Sequence, residues 1–524
     1  MPQTRNFHLE ENKVSSDLGR QALRGGAASV MSRLINAVLQ VGSTIILARL
    51  LTPTDYGLVA MVNVLTGFAP LLIDFGLGDA TTQKAKITQG QVSCLFWISS
   101  GIGLALTLLM VCCSPLIAWM YHEPRLQGIA VISAVTFVLL GISGQHLALL
   151  RRKLQFARVA RIEIGSNVVG VVVAVALAAL GQGYWGLVLR PIVAAAGMAA
   201  GAWMLCSWRP SWPALDAEVK KLIRFGMHVV GFTLTYSAGK AADRFTLGLC
   251  YLPREVGYYQ NAINLYENSI FSVLNPLHQV GSAALSKLQS SPELLKRKFS
   301  RALSALAFYM MPASALLSVL SVDIVVLLLG EKWRIAGGLL GILALRGMFH
   351  VIEGAQGWLH LSTGHPDRWM KWGVVSAVVQ VLAILAGLRF GAQGIAVGFV
   401  ASGCVIAFPS IMYAGRPIGI GLKEILAAVG RQLAGATAMI AAGWWLRMHA
   451  LASVPSLYRV IALTLICGAI YLGLVVVLFR LTEPLRVGAR LVWEHLPAGL
   501  AVKARALTGW REQPGNVAVR GPGA

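Results

Sequence analysis

The charged residues best placed to bind a ligand lie in stretches that are otherwise apolar. Lys240, Asp243 and Arg244 are spaced i, i+3 and i+4, which places them on one face of a helix. A charge inside a membrane costs about 2.5–3.5 kcal/mol on insertion scales, so it usually faces a cavity or a partner. Arg offers paired donors to phosphate oxygens and Lys offers a compact cation. This spacing predicts a cationic site inside the membrane that could bind an anion.

Other polar residues in apolar segments extend this predicted site. The predicted substrate-binding cations are Lys240, Arg244, Arg33, Arg346 and Arg190. The predicted cavity acids, which could bind a coupling H⁺ or Na⁺, are Asp243, Glu353, Glu267 and Asp74, with His350 near Glu353 as a further candidate. The residues that could contact sugars are Tyr236, Asn264, Tyr266, Asn268 and Gln356. We predict no catalytic residues, no metal site and no cofactor beyond such a coupling ion.

An alternative interpretation is that these charges join helices to one another. Asp243 would then pair with Arg244 or Lys240, and Glu353 would pair with Arg346 or His350. Arg33 and Arg190 lie near the ends of their apolar segments. Their long side chains could therefore extend to the membrane surface instead of lining a cavity.

Composition places these residues in a membrane protein. The chain has 524 residues, of which 56% are hydrophobic and 13% are charged, and its mean hydropathy is +0.67. A soluble domain would carry about 25% charged residues. Apolar stretches near 20 residues long recur throughout, which indicates membrane-spanning helices. The predicted spans are 27–48, 56–75, 91–113, 126–148, 160–180, 184–206, 225–251, 257–284, 300–321, 337–361, 370–388, 392–413, 426–446 and 458–479, with short apolar helical tips at 115–121 and 323–329.

The distribution of basic residues predicts the orientation. If both termini are cytoplasmic, eight of the 45 Lys and Arg residues fall in external loops: Arg49, Arg125, Arg254, Lys332, Arg334, Arg389, Arg447 and Arg459. Cytoplasmic loops of membrane proteins carry an excess of Lys and Arg. The net charge of +23 is therefore explained by topology and contact with anionic lipids, and no nucleic acid partner is expected.

Two motifs recur about 200 residues apart, which predicts an internal duplication. Pro53-Thr-Asp-Tyr-Gly57 resembles Pro253-Arg-Glu-Val-Gly257, and Gly183-Tyr-Trp-Gly186 resembles Gly391-Ala-Gln-Gly394. Since six spans are an even number, two six-span halves would be parallel repeats. The predicted fold is an all-α polytopic membrane protein of about 14 transmembrane helices, with two parallel six-helix bundles around a central cavity and two C-terminal helices. The predicted segments are a polar cytoplasmic tail (1–26), the first bundle (27–207), a cytoplasmic linker (208–224), the second bundle (225–413), two additional spans (414–480) and a basic cytoplasmic tail (481–524).

Four stretches carry a family resemblance. They are LARLLTPTDYGLVAMVNVLTGFAPLLIDFGLGDATTQ, ADRFTLGLCYLPREVGYYQNAINL, NPLHQVGSAALSKLQSSPELLKRKFSRAL and STGHPDRWMKWGVVSAVVQVLAILAGLRFGAQGIAVGFV. They resemble the polysaccharide transport branch of the multidrug/oligosaccharidyl-lipid/polysaccharide flippase superfamily, over roughly residues 25–415. The resemblance implies alternating access and a lipid-linked oligosaccharide cargo carried on undecaprenyl pyrophosphate. It also implies that an acid at the position of Asp243 is a common feature.

The predicted function is therefore a flippase in the bacterial cytoplasmic membrane and not an enzyme. It would move oligosaccharide repeat units for exopolysaccharide, capsule or lipopolysaccharide O-antigen synthesis. The expected partners are the lipid-linked oligosaccharide, membrane lipids, and a polysaccharide polymerase with its export machinery. The alternatives are a drug/cation antiporter of the same superfamily, a major-facilitator permease, and an integral-membrane glycan polymerase or ligase.

Overall fold

The computed structural model describes residues 17–74, 76–84, 87–213, 239, 241–286, 288, 291–363 and 366–486, and the regular structure within them is helical. The helices are α1 (Asp17–Leu50), α2 (Pro53–Thr66), α3 (Ala69–Asp74), α4 (Leu77–Gln83), α5 (Gln89–Met120), α6 (Arg125–Arg152), α7 (Phe156–Ala179), α8 (Trp185–Leu205), α9 (241–250), α10 (Pro253–Ser286), α11 (Pro292–Leu329), α12 (Arg334–Ser362), α13 (Pro366–Gly387), α14 (Gly391–Gly415), α15 (Leu422–Trp445) and α16 (Ser456–Leu472). A 3₁₀ turn at Glu331–Trp333 precedes α12, and α15 and α16 end in π-helical turns at Leu446–Ala450 and Gly473–Leu478.

The helices agree with the predicted fold class. Eleven stretches of the described chain are long and apolar enough to cross a membrane, and one of them, Asp367–Ile418, contains both α13 and α14. The 34-residue α10 corresponds to the eighth predicted span. α9 is the end of the seventh predicted span, most of which lies outside the described residues. The total is consistent with about fourteen transmembrane helices.

Two details differ from the simplest sequence prediction. The second predicted span is interrupted at Gly67, between α2 and α3, and the polar stretch after it contains the short helix α4. The predicted tips at 115–121 and 323–329 continue directly from α5 and α11, apart from Tyr121, which is the C-cap of α5. Those two helices are therefore longer than their predicted spans.

The helices pack as two groups. In the first, α5 packs on α6, α6 on α8, α8 on α7, and α7 on α1. In the second, α10 and α11 pack on α12, and α12 and α13 pack on α14. The two groups meet mainly where α2 packs on α10 and where the end of α1 approaches α11. We call this the junction end, the end at which α1, α9 and α11 finish and α2, α10 and α12 begin.

The two repeated Pro-x-acid-x-Gly motifs contact each other at the junction end. A Cβ atom added to Gly57 would lie 1.6 Å from the Pro253 carbonyl oxygen, and one added to Gly257 would lie 1.8 Å from the Pro53 carbonyl oxygen. Only glycine, which has no side chain, permits two backbones to come this close. The duplicated motif is therefore the point where α2 and α10 cross, and the contact has the same form from both sides.

Each motif also starts its helix. Thr52 is the N-cap of α2 and accepts a hydrogen bond from the Asp55 backbone N–H at 3.3 Å, while the Asp55 carboxylate accepts one from the Thr52 N–H at 2.8 Å. This capping box satisfies two backbone donors that have no partner within the helix. Proline suits the first helical position because its missing N–H is not needed there. The acidic and proline positions of the motif thus set where the helix begins.

A second contact at the junction end joins α1 to the 3₁₀ turn before α12. Arg49 donates to the carbonyl oxygens of Leu327 and Leu328 at 2.7 and 3.0 Å. Lys332 donates to the carbonyl oxygens of Arg49 and Leu51 at 2.9 and 2.6 Å. Each cation thereby caps the C-terminal end of a helix in the other group, where the helix dipole is negative. We call this arrangement the reciprocal cap.

The second repeated motif has the same backbone role in both groups. Gly183, before α8, and Gly391, at the start of α14, have φ values of +54° and +69°. These values lie in the left-handed region that favours glycine. The recurrence of Gly at these positions follows from the turn that precedes the last helix of each group.

The last two helices are attached to α11. α15 and α16 pack against α11 and against each other. At one end, Asp323 of α11 accepts from Arg459 at 3.0 Å and lies 3.3 Å from Arg447. At the other end, Lys296 of α11 lies 3.1 Å from Glu424 of α15. The helices outside the two groups are thus held at both ends of one long helix.

Candidate functional site

A polar pocket lies inside the second group of helices. Its volume is about 40 Å³, and its lining residues come from α9, α10, α12, α13 and α14: Asp243, Tyr266, Glu267, Arg346, His350, Gln380 and Phe399. Six of these residues carry groups that ionise or donate hydrogen bonds. The pocket therefore concentrates polarity within a bundle whose surroundings are mostly apolar.

Asp243 is the most deeply buried acid at this site. Its Oδ2 accepts a hydrogen bond from the Tyr259 hydroxyl at 2.7 Å, and its Oδ1 accepts one from the Arg244 backbone N–H at 2.7 Å. The Arg244 guanidinium lies 4.0 Å from the same carboxylate. Because α9 runs beside α10, the carboxylate is held between the two helices. Its hydrogen bonds compensate for the loss of contact with water.

Arg244 also pairs with the next helix. Its Nη2 donates to Glu267 Oε1 at 3.0 Å, and the side chains of Arg244 and Glu267 are 21% and 32% exposed. Glu267 therefore places a carboxylate beside both Arg244 and the pocket. The cation that sequence analysis assigned to substrate binding is neutralised by residues of its own bundle.

Arg346 is held in a similar way from α12. Its Nη2 lies 3.3 Å from Glu353, and its Nη1 donates to Ser402 Oγ at 2.8 Å and to the Phe399 carbonyl oxygen. The guanidinium also lies over the Phe399 ring, 4.1 Å from the ring centroid, in a cation–π arrangement. His350 Nδ1 is 3.6 Å from Glu353. These contacts fix Arg346 firmly between α12 and α14.

The size and composition of the pocket limit what it can hold. A water molecule needs about 10–15 Å³ of this kind of volume, so the pocket has room for a few waters or one small cation. It is far too small for a sugar phosphate. Within the described part of the chain, no three His, Cys, Asp or Glu side chains converge as metal ligands. The arrangement can hold or pass a proton, or admit a small monovalent ion beside its carboxylates.

The other predicted residues are more dispersed. Arg33 is exposed on α1, and Arg190 of α8 donates to Gln40 at 2.7 Å. Asp74 is exposed at the end of α3, where it accepts from the Gly78 N–H at 3.3 Å. Among the predicted sugar contacts, Asn264 accepts from Gln260 at 2.7 Å, Tyr266 is buried, Asn268 is exposed and Gln356 is partly buried. Lys240 and Tyr236 lie outside the described residues.

The structure adds residues that the sequence analysis did not single out. Tyr259 and Gln380 complete the surroundings of Asp243 and its pocket. In the first group of helices, Ser32, Asn36 and Gln40 of α1 form hydrogen bonds with polar residues of α7 and α8. Their spacing of four residues was visible in the sequence as a polar edge on an apolar helix. Uncharged polar residues are a weaker sequence signal than a charge in an apolar helix.

The fold and sequence have recognisable relatives. The chain is similar to the teichuronic acid biosynthesis protein TuaB of Bacillus subtilis (strain 168), with 23% identity over 71% of this chain and 77% of TuaB. It is also similar to the lipopolysaccharide biosynthesis protein WzxC of Escherichia coli (strain K12), with 24% identity over 73% of this chain and 78% of WzxC. Among solved structures, the lipid II flippase MurJ in an inward closed conformation matches with a TM-score of 0.64 and 13% identity, over 86% of this chain and 99% of MurJ.

The last comparison concerns the family itself. The sequence profile of a family described as "Polysaccharide biosynthesis protein" matches residues 46–336, which is more than half of the chain. That range includes both Pro-x-acid-x-Gly motifs and the acid at Asp243. The resemblance noted from the sequence is thereby confirmed, and the chain belongs to the polysaccharide biosynthesis protein family.

Proposed function

We propose that this protein is a flippase that moves a lipid-linked oligosaccharide across the bacterial cytoplasmic membrane by alternating access. The cargo would be an undecaprenyl-pyrophosphate-linked repeat unit for exopolysaccharide, capsule or lipopolysaccharide O-antigen synthesis. Both termini would be cytoplasmic, and a polymerase with its export machinery would receive the product. Family membership, the multi-span helical fold and the relatives in polysaccharide synthesis support this proposal.

The observation that carries the proposal is the way the two groups of helices meet. Two bundles of the same design touch through the same motif, at Gly57 and Gly257, and through the reciprocal cap. Such a contact between rigid bodies can separate without unfolding either one. In our mechanism, the cargo head enters between the bundles from the cytoplasm while its lipid tail stays in the bilayer. The bundles then rock, the junction end opens, and the head leaves on the far side.

We further propose that the pocket in the second bundle couples this motion to H⁺ or Na⁺. Asp243, Glu267 and Glu353 supply carboxylates there, and Arg244, Arg346 and His350 supply opposing charges. Adding or removing one cation changes the net charge of the bundle and the strength of its internal ion pairs. A packed bundle with two arrangements could respond to that change.

Deletion of the gene tests the proposed function. We expect lipid-linked oligosaccharide to accumulate on the cytoplasmic face of the membrane, and plasmid-borne wild-type protein to restore surface polysaccharide. A membrane-impermeant lectin binds oligosaccharide only on the outer face of intact spheroplasts. It therefore distinguishes the two faces of the membrane. If the deletion strain instead lacked the completed oligosaccharide, an enzymatic role would replace the proposed one. If surface polysaccharide were unchanged and resistance to cationic drugs fell, the antiporter alternative would be favoured.

A further inference from the structure

A polar strip runs along the first group of helices. Unlike the pocket of the second group, it consists mainly of uncharged side chains. Ser32 Oγ donates to Glu163 Oε2 at 3.3 Å, and Asn36 Nδ2 donates to Ser32 Oγ at 3.3 Å. Asn167 Nδ2 donates to Asn36 Oδ1 at 3.0 Å. One helical turn farther along α1, Gln40 accepts from Arg190 at 2.7 Å. We define the polar strip as Ser32, Asn36, Gln40, Glu163, Asn167 and Arg190.

The strip occupies one edge of α1. At about 100° per residue, Ser32, Asn36, Gln40 and the neighbouring Arg33 fall within an arc of about 100°. Within that arc, Ser32 is buried, Asn36 is partly buried, and Gln40 and Arg33 are exposed. Most of the other exposed surface of α1 is apolar, with Val30, Leu34 and Val38 each more than half exposed. The polar residues of the strip thus lie on the edge of α1 between the face that packs on α7 and the exposed apolar face.

The space next to this exposed polar edge of α1 is not suited to lipid tails. Polar side chains in a membrane usually face the bundle interior or a water-filled cavity. α1 packs on α7 along its length and approaches α11 only at the junction end. Arg190 reaches Gln40 from α8. On this ground we assign the exposed polar edge of the strip to the space between the two bundles and not to lipid.

The chemistry of the strip differs from that of the second bundle. Arg244 and Arg346 each have a carboxylate partner within 3.3 Å, whereas the partner of Arg190 is a neutral amide. Amide side chains each offer two donors and an acceptor, of which the hydrogen bonds given above use only a part. Sugar hydroxyls, which both donate and accept, match such a row of amide and hydroxyl groups. Along about 12 Å of α1, the strip has the length of two sugar rings or more.

We propose that the polar strip binds the hydroxyl groups of the oligosaccharide, with Asn36 and Asn167 as its central contacts. Sugar recognition is then assigned to the first bundle and ion binding to the second. This inference rests on the proposed flippase function. It names the part of the cargo that the first bundle contacts, and it assigns the sugar to residues that differ from those predicted in α10 and α12.

The test uses full-length protein in lipid nanodiscs and two probes. One probe is undecaprenyl pyrophosphate bearing the oligosaccharide extracted from the deletion strain, and the other is undecaprenyl pyrophosphate without sugar. In the double variant Asn36→Ala, Asn167→Ala, we expect the affinity for the sugar-bearing probe to fall about tenfold, as the loss of two hydrogen bonds implies. The affinity for the sugar-free probe is expected to change less than about twofold. Native mass spectrometry of the nanodiscs measures both.

A matched control removes hydrogen bonds of the same kind elsewhere. Gln432 of α15 donates to Ser304 of α11 at 2.8 Å, outside both bundle interiors. The double variant Gln432→Ala, Ser304→Ala is expected to leave the binding of both probes unchanged. For Asn36 and Asn167, the milder change of each to Ser provides a second variant if the alanine pair folds poorly, and it is expected to show the same selective loss.

The outcomes separate the inference from the proposed function. Equal loss of both probes, or no loss of either, would overturn the assignment of sugar binding to the strip while leaving the flippase function intact. If wild-type protein bound neither probe, both the function and the inference would fail. Selective loss of the sugar-bearing probe supports both.

Discussion

At the scale of single residues, the arginines inside the second bundle are committed to partners. Arg346 has a side chain only 6% exposed, and its partner Glu353 is 12% exposed. Removing one member of a buried pair is costly because the remaining charge has neither a partner nor water. These residues therefore hold the bundle together. The alternative interpretation from the sequence, that the acids pair with neighbouring cations, describes the contacts that are present.

We predict that Arg346→Gln lowers the free energy of unfolding by about 3 kcal/mol, because it leaves Glu353 buried without its cation. The double variant Arg346→Gln, Glu353→Gln should recover a substantial part of that loss, since neither residue then carries a charge. Reversible unfolding in detergent micelles measures both.

The control for this prediction is an exposed pair of the same types. Arg334 and Glu331 lie 2.5 Å apart, with side chains 61% and 67% exposed. Exposed ion pairs contribute about 0–1 kcal/mol, so Arg334→Gln should change stability by no more than that. Equal losses in the two variants would show that burial does not increase the contribution of the Arg346–Glu353 pair to the free energy of unfolding.

At the scale of helices, the crossing of α2 and α10 depends on two glycines. A methyl group at Gly57 would occupy nearly the same space as a backbone oxygen of the partner helix. The two helices would have to move apart by about 2 Å to reach an ordinary contact distance of about 3.5 Å. The crossing is thus a contact that almost any side chain prevents.

We predict that Gly57→Ala separates the bundles at the junction end and abolishes polysaccharide export. Spin labels placed at His122 and Leu252, which are exposed in loops of different bundles, should report a distance longer by about 2 Å. Double electron–electron resonance measures this distance in a variant whose native cysteines have been replaced.

Gly101→Ala is the matched control, because a Cβ atom added there has no neighbour within 4 Å. It should leave both the distance and export unchanged. An unaltered distance in Gly57→Ala would mean that the crossing does not determine how the bundles meet.

The attachment of α15 and α16 includes one buried cluster of charges. Asp323 is buried and lies between Arg447 and Arg459, so one carboxylate serves two guanidinium groups. The sequence explained these arginines as part of the charge asymmetry of the loops. Their contact with Asp323 gives them a structural role that loop position alone did not suggest.

We predict that Asp323→Asn loosens the last two helices and lowers the free energy of unfolding by about 3 kcal/mol, because two cations lose their shared anion. Limited proteolysis should then cut the connection at 451–455, which lies beside Asp323, more rapidly. Glu483→Gln, which affects an exposed pair with Arg301, should alter neither measurement. Similar results for both variants would contradict this role of Asp323.

At the scale of the whole molecule, orientation in the membrane is the next property to measure. The charge asymmetry predicts that the junction end faces the periplasm and that both termini face the cytoplasm. Alkaline phosphatase fused after Leu252 should be active, and green fluorescent protein fused after Lys153 should fluoresce. The reverse pattern would invert the proposed direction of transport.

Much of the architecture could be predicted because it depends on local rules. Apolar length gave the spans, and the repeated Pro-x-acid-x-Gly motif gave the duplication. What the sequence could not provide was proximity between distant residues. The motifs at Gly57 and Gly257 were each understood as helix starts, and their direct contact required the packing of α2 on α10. The pairing of Arg244 with Glu267 likewise depends on how α9 lies beside α10.

The candidate site was predicted less completely than the fold. Charge drew attention to Asp243, Arg346 and Glu353, and these do gather around one pocket or beside it. Asn36 and Asn167 are ordinary residues in sequence, and they become notable only because α1 and α7 bring them to 3.0 Å. Neutral hydrogen-bonding residues have no signature comparable to a charge in an apolar segment.

The chemical groups in the reciprocal cap determine how this contact between the bundles responds to pH. Its four hydrogen bonds run from Arg49 and Lys332 to peptide oxygens, and no carboxylate takes part in them. Peptide oxygens do not gain protons as the medium acidifies, and the two cations stay protonated. Acidification of the water at that face therefore does not break the hydrogen bonds of the reciprocal cap. Opening of the junction end by protons would have to act through groups other than these four hydrogen bonds.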